Sequence, residues 1–92
     1  MKKYNEQESL PFLEELKGWK FKEDAVEKKF EFKNFSESLA FIVRIGLLAE
    51  KANHHPEIFN IYNKVEIKLS THDSGGVTTK DFDLAKAIDL LF

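Results

Sequence analysis

The spacing of apolar and polar positions changes several times along the chain, and each change marks a predicted element. Leu10, Leu13 and Leu16 fall on one side of a short first helix. Ser9 is placed to cap it, Pro11 is tolerated in its opening turn, and Gly18 stops it. From Trp19 to Lys22, and again from Val26 to Phe32, the period drops to two. With Glu23-Asp24 between them, these runs predict a β-hairpin. Trp19 and Phe21 lie on one strand, and Val26, Phe30 and Phe32 on the other. Lys28 interrupts the second run, which predicts a partly exposed strand.

The longest periodic stretch follows. Asn34 suits an N-cap, with Glu37 three residues on. Phe35, Leu39, Ile42, Val43 and Ala49, together with Phe41, Ile45, Leu48 and Ala52, make a wide apolar stripe. It predicts a helix to about Ala52, roughly 27 Å long, as the main core element against a sheet. Pro56 disfavours helical geometry at His55, so this helix ends near Asn53. Ile58 to Ile61 reads as a short strand. Val65, Ile67 and Leu69 alternate with Glu66, Lys68 and Ser70 in a strand with one buried face. A two-residue turn at Tyr62-Asn63 would pair Ile61 with Lys64. Extending that register sets Thr71 opposite His54 and His72 opposite Asn53. It also puts Phe59 and Ile61 on the face opposite Val65 and Ile67, which predicts that one face meets a partner subunit.

After a Gly75-Gly76 turn, Thr78-Thr79-Lys80-Asp81 reads as a capping box with Asp in the Glu position, stapled by Val77 and Phe82. Phe82, Ala85, Ile88, Leu91 and Phe92 give the last helix its buried face. The order αββαββα predicts an α+β fold. One domain spans residues 1–92, with a four-stranded antiparallel sheet and three helices packed on one face.

Composition removes several classes of function. A chain of 92 residues has a modest core, which nine phenylalanines and one tryptophan enlarge. A formal net charge of -2 gives no basic field, so direct nucleic-acid binding is not expected. Without cysteine there is no disulfide, thiolate metal site or cysteine nucleophile. Met1 to Glu6 lacks the apolar core of a signal peptide, and Leu39 to Leu48 is too short to span a bilayer. A cytoplasmic protein, away from membranes, is expected.

All three histidines, His54, His55 and His72, fall at one end of the predicted strand pair. Imidazole titrates near neutrality and can both give and take a proton in one turnover. Such a cluster suits a reaction that only moves protons, of which dehydration is one. Glu50 and Asp73 are near enough in sequence to orient the rings. Taken singly, each residue has a plainer reading. His54-His55 makes a polar helix end that complements the helix dipole. His72 is then an exposed strand end, Glu50 a solvated helix residue and Asp81 a cap. A zinc site of three histidines and a carboxylate is the rival chemistry. Adjacent residues in an extended segment point to opposite faces, however, so His54 and His55 would not easily share one ion. No phosphate loop and no GxSxG context accompanies Gly75-Gly76, Ser70 or Ser74.

Three blocks together carry a family resemblance: Glu50-Lys51-Ala52-Asn53-His54-His55-Pro56-Glu57, Phe59-Asn60-Ile61-Tyr62-Asn63-Lys64-Val65, and Leu69-Ser70-Thr71-His72-Asp73 with Gly75-Gly76 and Asp81. The pattern resembles the pterin-4a-carbinolamine dehydratases from about Gly18-Trp19 to the last helix. The resemblance implies dehydration of 4a-hydroxytetrahydrobiopterin, or a related pterin, to the quinonoid dihydropterin. That step recycles the cofactor of aromatic amino acid hydroxylases. It implies His54 and His72 as the acid–base pair, with His55 chiefly binding the pterin. Asn53, Ser70, Thr71 and Asp73 would line the pocket, Glu50 would meet the pterin ring, and Asp81 would support His72. The pterin is the substrate, and no other cofactor and no metal is implied. Relatives form homodimers or homotetramers, and animal members also serve as dimerisation cofactors of a transcription factor. Asn53 and Ile58 stand where many members have Asp and Trp.

Overall fold

The computed structural model describes residues 1–92. It contains three helices and one antiparallel sheet of four strands, in the order αββαββα. The strands are β1 (Lys20–Lys22), β2 (Ala25–Glu31), β3 (Glu57–Ile61) and β4 (Lys64–Leu69), and they lie side by side as β1-β2-β4-β3. The helices are α1 (Glu6–Leu13), α2 (Phe35–Ala52) and α3 (Thr79–Asp89).

The core forms where one sheet face meets the helices. Val26 and Phe30 of β2 and Val65, Ile67 and Leu69 of β4 are buried together with Phe41 and Ile45 of α2 and Phe82, Ala85 and Ile88 of α3. The opposite face is charged. Across the β2–β4 ladder Glu27 sits opposite Lys68, Lys29 opposite Glu66 and Glu31 opposite Lys64. Lys20 lies opposite Glu27 on one side and Glu57 opposite Lys68 on the other, so one row alternates sign across all four strands.

Both predicted hairpins form. Glu23 and Asp24 take left-handed backbone, φ 51 and 58, as a tight turn with the strand twist requires. Tyr62-Asn63 joins β3 to β4 in the expected register, with Ile61 opposite Lys64. Lys28 does not mark an exposed strand. It lies on the core side of β2, which is a central strand, and its Nζ reaches Asp89 at 2.9 Å. The Trp19 indole N–H donates to the same carboxylate at 3.1 Å. A long stem lets the ammonium leave the core while its carbons stay in it.

Two helix details differ from the sequence reading. Helix α1 starts earlier, because Asn5 and not Ser9 is its cap. The Asn5 side chain accepts from the Glu8 N–H, and Glu8 accepts from the Asn5 N–H, at 2.8 and 3.0 Å. That backbone bond, with the Lys2 side chain, holds the Glu8 carboxyl below its usual range. Ser9 is buried inside the helix, and Pro11 sits in its interior rather than its first turn. Helix α2 keeps its predicted bounds and Asn34 cap. Only part of its stripe is core, however: Phe41, Ile45 and Ala49 are buried, whereas Phe35, Leu39 and Val43 are exposed, and so is Leu47, which the stripe did not include.

Candidate active site

The end of α2 decides where the two adjacent histidines go. Asn53 takes left-handed backbone, φ 50 and ψ 43, and its N–H bonds the carbonyls of Ala49 and Glu50. The His54 N–H then returns to Ala49 O at 3.1 Å. This doubled-back closure satisfies carbonyls that the helix leaves open, and asparagine tolerates the left-handed position. The reversal turns His54 inward, to 9% exposure, and His55 outward. Pro56 has no N–H to extend a ladder, and pairing of β3 begins only at Glu57. The register predicted for His54 and Asn53 therefore stops short of them.

The chain beyond β4 supplies the second wall. Thr71 and Gly76 bond each other's backbone, at 2.8 and 3.3 Å, around a single helical turn at His72–Ser74. Gly75 closes that turn at φ 71. Thr78 then caps α3, with Asp81 as the reciprocal member of the capping box. Val77 and Phe82 both enter the core, as the staple requires.

These three segments meet at Asp81, which has no exposed surface. Its Oδ1 lies 2.6 Å from His54 Nε2. Its Oδ2 accepts from the Thr71 hydroxyl and from the Thr78 N–H, both at 2.9 Å. The first turn of α3 adds the positive end of the helix dipole. Thr71 and Thr78 hydroxyls touch at 2.7 Å. A second pair lies outside. His55 Nε2 meets Glu50 Oε1 at 2.6 Å, with side chains 56% and 79% exposed.

Of the residues singled out in the sequence, His54, Thr71 and Asp81 are joined in one buried network, and His55 and Glu50 in one surface pair. Asp81 supports His54 and not His72, because the start of α3 packs beneath the end of α2 and directly bonds its inward histidine. His72 and Asp73 are exposed on the turn that follows Thr71, one residue from the network. Ser70 is partly buried beside Thr71, and Asn53 is exposed at the helix end. Thr78 is an addition: its T-x-x-D spacing announced a cap but not the contact with Thr71. No group of three or more His, Asp or Glu side chains is gathered as a metal-ligand set. A groove of about 480 Å³ lies elsewhere, among Lys29, Glu31, Phe59, Ile61, Lys64 and Glu66, and no histidine lines it.

A buried carboxylate bonded to one nitrogen of an imidazole fixes the ring and its proton, leaving the other nitrogen for proton exchange. Residues 2–91 match the family model for pterin 4 alpha carbinolamine dehydratase. A protein of Prochlorococcus marinus (strain NATL2A), provisionally named a pterin-4-alpha-carbinolamine dehydratase, is 49% identical over 80 residues, covering 87% of this chain and 84% of that one. A protein of Sulfurisphaera tokodaii with the same provisional name is 44% identical over 91 residues, covering 99% and 98%. A crystal structure from Brucella melitensis, described as a transcriptional coactivator/pterin dehydratase, superposes with a TM-score of 0.93 at 37% identity, covering 98% of each chain.

Proposed function

The chain belongs to the pterin 4 alpha carbinolamine dehydratase family, and from that premise we propose that it dehydrates a 4a-hydroxytetrahydropterin to the quinonoid dihydropterin. The observation that carries this reading is the His54–Asp81 pair, an imidazole buried and oriented by a buried carboxylate. His54 and His72 act as the acid–base pair. One protonates the departing 4a oxygen, which leaves as water when the C4a–O bond breaks. The other takes the N5 proton, and the N–H electrons form the N5–C4a double bond. One proton is given and one is taken, so the reaction needs no electron carrier. His55, held by Glu50, grips the pterin ring. Asn53, Ser70, Thr71 and Asp73 lend backbone groups around it.

The test follows the ultraviolet absorbance of a freshly made carbinolamine with wild type, His54→Ala and His72→Ala. General acid–base groups contribute roughly 10²–10⁴-fold, so each variant should lose at least about 100-fold in rate. Equal rates for all three, matching buffer alone, would remove the dehydratase reading. Within this proposal the protein works in the cytoplasm as a homodimer or homotetramer and returns pterin to an aromatic amino acid hydroxylase.

One observation favours a second reading, a binding module. Phe35, Leu39, Val43 and Leu47 repeat at helical spacing along the exposed side of α2. Partners captured equally by wild type and by a variant lacking all three histidines would support it.

A further inference from the structure

The buried side chains around Asp81 form a hydrogen-bond chain whose direction follows from counting hydrogens. The Asp81 carboxylate accepts at Oδ2 from the Thr71 hydroxyl and the Thr78 N–H, and its Oδ1 lies 2.6 Å from His54 Nε2. A carboxylate carries no hydrogen to donate, so it serves as acceptor at each contact. A threonine hydroxyl carries one hydrogen. Thr71 gives its hydrogen to Asp81 Oδ2, so the 2.7 Å contact between the two hydroxyls is donated by Thr78. Thr78 Oγ1 in turn accepts from the Lys80 N–H at 3.2 Å. The sense of the chain runs from the α3 backbone through Thr78 and Thr71 to Asp81, and His54 completes it from the far side.

This direction determines the imidazole. Nε2 carries a proton, because it faces an acceptor at 2.6 Å. No buried side-chain nitrogen or oxygen in the molecule lacks a partner. His54 Nδ1 bonds no protein group, so it occupies the small exposed part of the ring.

We propose that Thr78 is a positioning residue: through Thr71 and Asp81 its hydroxyl holds His54 in the Nε2–H form and presents Nδ1 as the proton-exchanging atom. What Nδ1 acts on rests on the dehydratase reading; the state of the ring does not. The cap of α3 thus belongs to the acid–base machinery although it touches no substrate.

The experiment is ¹⁵N NMR of the His54 ring in the whole protein, with thermal unfolding and carbinolamine turnover on the same samples. Wild type should show the Nε2–H form, and Thr78→Ser should keep it. Thr78→Val and Thr71→Val should move the ring nitrogens toward mixed tautomers and lower kcat roughly tenfold with KM little changed, the usual loss when an outer hydrogen-bond partner goes. Thr71→Val breaks the chain while leaving the Lys80 cap bond in place, so fraying of α3 cannot account for its effect. Ring shifts identical to wild type in both valine variants would overturn the proposal. Altered ring shifts with no turnover by any of the proteins, wild type included, would remove the dehydratase reading and leave the chain standing.

Discussion

Two neighbouring histidines in one sequence motif have unlike energetic roles. His54 is an inward ring bonded to a fully buried carboxylate, whereas His55 pairs with Glu50 in open solvent. Removing His54 takes away one of the donors that Asp81 lost water to gain. His54→Ala should therefore cost about 2–3 kcal/mol of stability. His55→Ala should stay within about 0.5 kcal/mol, because exposed ion pairs are screened. Urea unfolding of the two variants measures the difference. Asn53 is the residue that separates the pair. At φ 50, Asn53→Ala should cost about 1 kcal/mol while Asn53→Gly should not, in the same assay. The His54-His55 pair at the end of α2 was legible in the sequence, but the partner of His54 was not. Asp81 lies 27 residues away, and nothing local says which of two adjacent rings will turn inward.

Among the elements, those with strong local signals were readable to within a residue or two. The Asn34 cap, the α2 terminus, both hairpin turns and the α3 capping box all rest on short-range chemistry that the sequence displays. Helix α1 was misplaced for an instructive reason. Asn5 and Glu8 already spell a capping box, yet Ser9 stands nearer to the leucines and competes for the role. Lys28 was misread because a charge inside an alternating run does not reveal whether its stem is buried. The β1–β2 turn holds two non-glycine residues at positive φ, Glu23 and Asp24. Asn-Gly suits that geometry better. The double substitution Glu23→Asn with Asp24→Gly should raise stability by about 1 kcal/mol, read as a higher urea midpoint at unchanged slope.

For the whole molecule, the fold class and the two hairpins followed from pattern, whereas the central β2–β4 pairing and the width of the core did not. The α2 stripe is wide enough to face both the sheet and something else, and periodicity cannot divide the two. Val43 and Leu47 are 61% and 69% exposed on the free side. If that side joins subunits, Val43→Glu with Leu47→Glu should yield monomers by sedimentation while leaving the far-ultraviolet circular dichroism unchanged. An unaltered sedimentation coefficient would place the subunit contact elsewhere, with the Phe59 and Ile61 face next in line.

The charged side of the sheet guards against misalignment during folding. Apolar alternation repeats every two residues, so sliding β2 along β4 by two positions would still bury an oily face. Charge along those strands repeats every four: the same slide would set Lys29 against Lys64 or Lys68, and Glu66 against Glu27 or Glu31. Like charges directly opposite repel, so the wrong alignment is penalised even though the core would accept it. Concentrated salt, which shortens the reach of charge to about 3 Å at 1 M, weakens that safeguard and leaves the slipped pairing as a trap for the refolding chain.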